Sequence, residues 1–375
     1  MFDHDDVRTA QEITQQPRVW RDAGEMVRAR RTAIDAFLAR HADARIVLTG
    51  SGTSAFIGRI AAPALTRATG RRVDAVAATD IVSAPCAAFA ENVPTVLVSF
   101  ARSGRSPESV AATELADQLL TDVHHVIITC DVTGDLYRRH SARADDLVLV
   151  TPDGTNDAGF AMTSSFSSML LVALLVFAPR GDEAVAALAS AGEWALNDGG
   201  TLPAELAATG FARVVYLGSG PLTGLAQESA LKLLELTAGR IVGMFDSPLG
   251  FRHGPKSILD DDTLVVVFVS ADPYTRQYDL DLLGELVATA GAHRVVAVSA
   301  EPVAVDGATV WTLPGVAGLD DAALALPYAV FAQSLALGQS LRLGLTPDNP
   351  FPSGDVNRVV QGVTIHRLDA APTAS

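Results

Sequence analysis

The sequences IVLTGSGTSAFIGR at residues 46–59 and VVYLGSGPLTGLAQ at residues 214–227 decide the fold. Each is a short apolar segment that runs into a turn of glycine and hydroxyl residues, and Gly218 follows Gly50 by 168 residues. Nearly the same offset relates three more pairs of apolar segments, and a fifth pair has a slightly shorter one: 73–77 with 241–245, 95–100 with 264–269, 126–129 with 295–298, and 147–150 with 310–313. The chain therefore contains two similar halves.

Apolar and helix-forming segments alternate within each half. The apolar segments are short and rich in Val and Ile, whereas the stretches between them carry the helix formers Ala, Leu, Glu and Arg. Strands that are apolar on both faces are typical of parallel sheets covered by helices on each side. We therefore predict an α/β fold with two tandem, doubly wound parallel-sheet units, each of three αβα layers.

The limits of these units follow from changes of pattern along the chain. Val7 to His41 is helical in pattern, with Pro17 marking a break, and the segment after Leu343 is irregular. The predicted organisation is an N-terminal helical arm at 1–41, a first unit at 42–180, a linker region at 181–205, a second unit at 206–345 and a C-terminal tail at 346–375.

Composition excludes several classes of protein. The 375 residues are 49% hydrophobic and 19% charged, which predicts a folded, well-buried interior rather than disorder. The net charge of −15 disfavours binding to nucleic acid or to an anionic membrane surface. The longest apolar run, Met169 to Ala178, is too short to cross a bilayer and predicts a buried helix. The polar first 21 residues and the isolated Cys86 and Cys130 favour a cytoplasmic protein without disulfides.

Two hydroxyl-rich turns in the first unit indicate a phosphate site. Ser51, Gly52 and Thr53 follow the first strand, and Ser103 and Ser106 follow the third, with Arg102 beside them. Both turns precede helices, whose free N–H groups bind anions at the carboxyl edge of a parallel sheet. Two alternatives stay open. The hydroxyls could be helix caps only, or GSGTSA at 50–55 could be a dinucleotide-binding turn with Asp80 as the ribose ligand.

A second set of residues indicates proton-transfer chemistry. Glu228, Lys232 and Glu235 fall on one stripe of the helix predicted at 222–238, and the following glycine- and proline-rich loop at 247–256 has His253 at its centre. A carboxylate, an ammonium and an imidazole near a phosphate site match proton shuttling on a sugar phosphate. The alternative is a solvated helix face with an ordinary Glu–Lys pair. His124 and His125 lack a plausible third ligand, so we expect no metal. We also expect no cofactor.

Several motifs together resemble the sugar isomerase (SIS) superfamily, and most closely its AgaS family of tagatose-6-phosphate ketose/aldose isomerases or galactosamine-6-phosphate deaminases. The resemblance covers nearly the whole chain. The isomerase half of glucosamine-6-phosphate synthase is a more distant relative. The motifs that carry the resemblance are QEITQQPRVW at 11–20, GSGTS at 50–54, SFARSGRSPES at 99–109, ESALKLLELTAGR at 228–240, DSPLGFRHGPKS at 246–257 and DNPFPSGDVNRVVQGVTIH at 348–366.

The resemblance implies a role for each candidate residue. Ser51, Thr53, Ser103 and Ser106 would hold the phosphate, and Glu235 would move a proton between sugar carbons 1 and 2. His253 would assist ring opening, and Lys232 and Glu228 would support these residues.

This chain also departs from the synthase at two places. Gln361 stands where the synthase has a Schiff-base lysine, and Arg102 and Arg105 replace neutral and acidic residues beside the phosphate serine. The first departure indicates that ammonia is released rather than installed. The second indicates a different grip on the anion.

The expected activity is deamination of galactosamine 6-phosphate to tagatose 6-phosphate and ammonia. Plain aldose/ketose isomerisation of a hexose 6-phosphate and a noncatalytic sugar-phosphate regulator stay open as alternatives, although the two units leave no room for an effector domain. The expected partners are the small-molecule sugar phosphate and further copies of the chain, in a homodimer or higher homo-oligomer. Whether His253 serves its own subunit or a neighbouring one stays open.

Overall fold

A computed structural model of the chain describes residues 6–290, 294–360 and 362–369. Its strands within these residues are β1 (Arg45–Thr49), β2 (Val73–Ala75), β3 (Thr95–Ala101), β4 (Val123–Thr129), β5 (Leu147–Val150), β6 (Arg213–Gly218), β7 (Val242–Asp246), β8 (Thr263–Phe268), β9 (Val295–Ser299) and β10 (Thr309–Thr312). The helices are α1 (Arg8–Thr14), α2 (Gln16–Ala29), α3 (Arg31–Arg40), α4 (Thr53–Thr69), α5 (Ala78–Ser83), α6 (Pro85–Ala88), α7 (Pro107–Leu119), α8 (Asp135–His140), α9 (Ser164–Phe177), α10 (Asp182–Leu196), α11 (Thr201–Thr209), α12 (Pro221–Leu236), α13 (Pro248–Phe251), α14 (Pro273–Ala290) and α15 (Asp321–Arg342).

The two halves form two five-stranded sheets of the same topology. The strand order is β2-β1-β3-β4-β5 in the first sheet and β7-β6-β8-β9-β10 in the second, and every adjacent pair is parallel. Helices flank both sheets, so the predicted pair of doubly wound α/β units is confirmed. The repeat seen in the sequence is therefore a repeat of structure.

The two units meet through the helices that follow their first strands. Helix α4 of the first unit packs against α12 of the second. A side chain at Gly224 would bring its Cβ within 2.8 Å of Ile60, so glycine is needed for this close approach. Arg59 donates a hydrogen bond to Gln227, which lies 168 residues later and is its counterpart in the repeat. The packing of α4 on α12 brings a face of the second unit to the first sheet.

Two apolar helices lie in the core of the molecule. All residues of α9, which covers 169–177 of the buried helix predicted at 169–178, are buried. Helix α15 is long and apolar enough to cross a membrane by length and composition, with a mean hydropathy of 1.2. However, 94% of the apolar 18-residue stretch within α15 is buried inside the protein, which is the environment of a core helix.

The N-terminal arm consists of three helices that pack on the core. The break falls at Gln15, and Pro17 lies in the first turn of α2, where its missing N–H removes no helical hydrogen bond. Trp20 is fully buried, and its indole N–H donates to Ser167 Oγ at 2.9 Å. The linker region predicted at 181–205 contains α10, a 3-10 turn and the start of α11, and α10 packs on the arm at Gly192, beside Trp20.

Candidate functional site

A cavity of about 260 Å³ opens where β1 and β3 end, at the edge where parallel sheets bind ligands. Five parts of the chain line it: the turn after β1, the loop after β3, the loop after β5, one face of α12 and the C-terminal tail. The lining residues are Ser51, Gly52, Thr53, Ser54, Phe100, Ala101, Arg102, Ser103, Gly104, Ser106, Ser109, Phe160, Met162, Leu231, Glu235 and 356–360. The cavity therefore joins both predicted phosphate turns to the predicted proton-transfer helix.

The first turn leads directly into a long helix. Gly52 has φ 57°, a conformation that favours glycine, and Thr53 begins the 17-residue helix α4. A Cβ at Gly50 would lie 2.6 Å from Ser54 Cβ, so the tight turn also requires glycine there. An anion at this turn would lie at the N-terminus of α4, where the helix dipole favours it.

A cluster of hydroxyls joins the second turn to the first. Ser106 Oγ donates to Ser109 Oγ at 2.7 Å, and Ser109 Oγ lies 3.4 Å from Ser51 Oγ. Ser103 Oγ accepts the Arg105 N–H at 3.3 Å. Ser109 belongs to the same SGRSPES sequence but was not singled out as a ligand, and its position on the first turn of α7 is the signal that could have identified it.

Arg102 brings a buried positive charge to this cavity. The side chain is only 6% exposed, and its guanidinium donates to the carbonyls of Phe160 at 3.2 Å and Arg358 at 2.9 Å. Burial and the nearby Arg358 lower its pKa, and within the described residues it forms no ion pair with a carboxylate. A buried cation satisfied only by carbonyls is favourable to an anionic ligand. Arg105 instead pairs with Asp131 at 2.9 Å.

The stripe on α12 is buried, so it is not a solvated face. Glu228 and Lys232 are each 1% exposed, and Glu235 lines the cavity. Lys232 Nζ donates to Glu235 and lies 3.6 Å from Glu228 Oε1. The three side chains thus form a row of ionisable groups that leads from the core to the cavity.

Burial and neighbouring charges shift the pKa values of Lys232 and Glu228 in this row of ionisable groups. Burial alone would lower the pKa of Lys232, but Glu228 and Glu235 outweigh it and raise the pKa above its usual value. Burial raises the pKa of Glu228 from 4.5 to about 8, against the opposing effect of the Lys232 ammonium. At neutral pH the arrangement favours a charged Lys232 that holds Glu235, next to a protonated Glu228.

Substituting Glu228 tests this protonation state. Because its pKa is raised in the folded chain, its stabilising contribution is present at low pH and is lost as the pH rises toward about 8. Relative to Glu228→Gln, the wild type should lose about 1 kcal/mol or more of unfolding free energy between about pH 5 and pH 9. Urea unfolding at several pH values measures the difference. Parallel pH dependences of the two proteins would contradict the assignment.

The structure does not bring His253 to the cavity of its own chain. His253 is exposed on the loop after β7, and it is not among the lining residues. Arg252 pairs with Glu285 at 3.0 Å, and Lys256 also pairs with this carboxylate. These ion pairs attach the His253 loop to α14. Gln361, which the sequence analysis singled out in the C-terminal tail, lies outside the described residues.

The corresponding strand ends of the second sheet are occupied by the protein's own carboxylates. Asp279 accepts Ser219 Oγ at 2.6 Å and the Ser270 N–H at 2.9 Å. Asp321 accepts Ser270 Oγ at 2.5 Å and the Ala271 N–H at 2.7 Å. Internal carboxylates therefore take these donors of the second unit, whereas the turns of the first unit line an open cavity. No group of three or more His, Cys, Asp or Glu side chains in the described part of the chain could hold a metal ion.

The chain is similar in sequence and in fold to proteins of known family. The SIS domain family matches residues 39–179. The AgaS protein of Streptomyces coelicolor is 54% identical over 97% of this chain and 96% of its own. The D-galactosamine-6-phosphate deaminase AgaS of Escherichia coli is 47% identical over 96% of each chain. The crystal structure of tagatose-6-phosphate ketose/aldose isomerase from Escherichia coli is 44% identical, covers 97% of both chains and has a TM-score of 0.90.

Proposed function

Because this chain belongs to the AgaS family of SIS-domain proteins, we propose that it is an amino-sugar phosphate deaminase that converts galactosamine 6-phosphate into tagatose 6-phosphate and ammonia. The observation that carries the proposal is one cavity lined by both hydroxyl-rich turns and Arg102, with Glu235, held by Lys232, on its wall. A hexose 6-phosphate has the matching pattern, with an anion at carbon 6 and acidic C–H chemistry at carbons 1 and 2.

The residues of the cavity divide the reaction between binding and proton transfer. Ser51, Thr53, Ser103 and Ser106 bind the phosphate, and the Arg102 cation favours its charge. Glu235 removes the proton from carbon 2 of the open-chain aldehyde, which gives an enolamine. The same carboxyl returns the proton to carbon 1, which gives a ketimine. Water then adds to the ketimine, and the tetrahedral adduct collapses to tagatose 6-phosphate and ammonia.

Ring opening is assigned to His253 of a second copy of the chain. An imidazole on an exposed loop, with both flanking cations paired to Glu285, is far better placed to serve a neighbouring molecule than its own cavity. The functional form is therefore a homodimer or a higher homo-oligomer in the cytoplasm. Its strong negative charge disfavours nucleic acid and anionic membranes as partners.

Mixing two inactive variants tests this assignment. In a mixed dimer of Glu235→Gln and His253→Ala, one of the two sites has both wild-type residues. A fully exchanged 1:1 mixture should regain about one quarter of wild-type activity, since about half the dimers are mixed. Ammonia release before and after subunit exchange measures the recovery. If the mixture stays as inactive as its components, His253 acts within its own chain, and if His253→Ala alone keeps wild-type activity, His253 has no role in the reaction.

The proposed reaction is tested directly with the purified protein. Galactosamine 6-phosphate should yield ammonia and a ketose in equal amounts, without added metal or nicotinamide, and glucosamine 6-phosphate serves as the epimer control. The isomerase name of the 44% identical Escherichia coli structure favours a second candidate, in which Glu235 moves a proton through an enediol. Interconversion of galactose 6-phosphate and tagatose 6-phosphate, with no ammonia from either amino sugar, would establish that isomerase activity instead.

A further inference from the structure

Two terminal sequences that the mechanism leaves unused lie together beside the cavity. They are the arm, with QEITQQPRVW at 11–20, and the tail, with DNPFPSGDVN at 348–357. Asp348 accepts the Thr9 N–H at 2.8 Å and Thr9 Oγ1 at 2.7 Å, and it also accepts the Arg8 N–H at 3.0 Å. The tail carboxylate thus caps α1 and fixes the two termini to each other.

A loop between β5 and α9 lies between this pair of termini and the cavity. Asp157 fixes one end of the loop, because its carboxylate accepts the N–H groups of Thr163 at 2.7 Å and Ser165 at 2.9 Å. Phe160 and Met162, further along the loop, line the cavity. The Phe160 ring packs against Phe351 of the tail, with ring centroids 5.2 Å apart.

The arm holds the middle of this loop through one buried carboxylate. Glu12 is 7% exposed, and its Oε1 accepts the N–H groups of Ala158 and of Gly159, the latter at 3.0 Å. A Cβ at Gly159 would lie 2.8 Å from Glu12 Oε2, so the loop approaches the carboxylate as closely as glycine permits. The carbonyl of the next residue, Phe160, accepts a hydrogen bond from the Arg102 guanidinium at 3.2 Å.

Keeping Glu12 in this place is unfavourable by itself. Burial raises its pKa to about 7, and the nearby Asp157 and Asp348 carboxylates act in the same direction. A solvent-exposed position would cost less free energy, so the contact with the loop is what the buried carboxylate provides.

Arg102 also donates to the Arg358 carbonyl at 2.9 Å, and the Arg358 guanidinium donates to the Asp157 carbonyl. Loop and tail therefore set the two carbonyls that orient Arg102.

We propose that Glu12 is a positioning residue for phosphate binding, which acts through the Ala158 and Gly159 amides and the Phe160 carbonyl on the guanidinium of Arg102. The inference rests on the proposed function only in taking the anion beside Arg102 to be the phosphate of the substrate. Glu12 touches neither the cavity nor Glu235, so its loss changes substrate affinity rather than the proton-transfer step.

Kinetics with matched variants test the role of Glu12. Glu12→Leu should raise KM for galactosamine 6-phosphate about tenfold or more and leave kcat within about threefold. Glu12→Gln keeps an acceptor oxygen for both amides and should restore KM to within about threefold of wild type. Glu12→Asp has a shorter side chain, which moves the acceptor oxygens away from both amides, so it should raise KM as Glu12→Leu does. This variant keeps the test available if Glu12→Leu does not fold. Glu25→Leu, at an exposed position on α2, is the control.

Two outcomes would overturn the proposal. One is a KM in folded Glu12→Leu or Glu12→Asp that equals the KM of Glu25→Leu. The other is an equally large KM effect of Glu12→Leu in wild-type and Arg102→Lys backgrounds, because residues that act through one another are not additive.

A binding measurement separates this inference from the proposed reaction. Glucitol 6-phosphate has the phosphate but neither the carbonyl nor the amine, so calorimetry with it reports the phosphate site without any turnover. Weaker binding to Glu12→Leu than to wild type supports the role of Glu12 even if no ammonia is formed from galactosamine 6-phosphate. Equal binding to both proteins overturns that role even if the wild type is an active deaminase.

Discussion

Replacing Glu235 with glutamine is expected to lower kcat by about 10²- to 10⁴-fold, with little change in substrate binding. Glutamine has nearly the same shape and can still accept from Lys232, so the wall of the cavity is kept. It cannot take a proton from carbon 2 of the sugar, and no other carboxylate lines the cavity within the described residues. Steady-state ammonia release gives kcat, and calorimetry with glucitol 6-phosphate gives the affinity.

The control for this substitution is Glu183→Gln, which changes an exposed carboxylate on α10. It should leave kcat and affinity unchanged, since surface substitutions away from special features have small effects. Wild-type turnover by Glu235→Gln would identify Glu235 as a structural carboxylate and would place the proton transfer elsewhere. A loss of glucitol 6-phosphate binding would indicate instead that the substitution disturbs the whole cavity.

The fold could be predicted because its signals are local. Each strand is a short run of Val, Ile and Leu, and each turn carries glycines whose conformation the structure requires, such as Gly52. The repeat at a constant offset then relates one half to the other without any knowledge of distant contacts. The observed ends of the strands differ from the predicted ends by a few residues at most: β2 ends at Ala75 because the chain turns into α5, and β7 begins at Val242.

The site could be predicted only in part, because its other half depends on contacts between distant segments. Both hydroxyl-rich turns can be located from the sequence, since each belongs to one strand and one helix. The burial of Lys232 and Glu228 could not be read this way, because an i, i+4 pair looks the same on a solvated helix. Their environment is set by the packing of α12 on α4 and α15, which joins residues far apart in sequence.

The position of His253 shows a second limit of sequence reasoning. The same loop composition is compatible with a side chain that faces its own cavity or one that faces a neighbouring molecule. The pairing of Arg252 with Glu285, 33 residues later, decides how the loop lies. Similarly, the contacts of Phe160 with Arg102 and Phe351 depend on the arrangement of three distant segments, so local patterns give no sign of them.

Replacing both Ser103 and Ser106 with alanine is expected to weaken binding of the phosphorylated sugar by at least about 10²-fold, because each hydrogen bond to a charged group contributes about 1.5 to 3 kcal/mol. Ser106 Oγ also donates to Ser109 Oγ, which lies near Ser51 Oγ, so its loss loosens the link between the two turns. Calorimetry with glucitol 6-phosphate measures the affinity, and kcat at saturating substrate should fall far less than for Glu235→Gln.

The matched control for the double variant removes two exposed hydroxyls, in Ser83→Ala combined with Ser190→Ala. It should bind glucitol 6-phosphate as the wild type does. Inorganic phosphate adds a second comparison, because it lacks the sugar, and its binding should weaken in the Ser103 and Ser106 variant in the same direction. An unchanged affinity of the folded double variant for both ligands would place the anion away from these turns and leave Arg102 without its proposed ligand. Weakened glucitol 6-phosphate binding with unchanged phosphate binding would instead assign the two serines to the sugar hydroxyls.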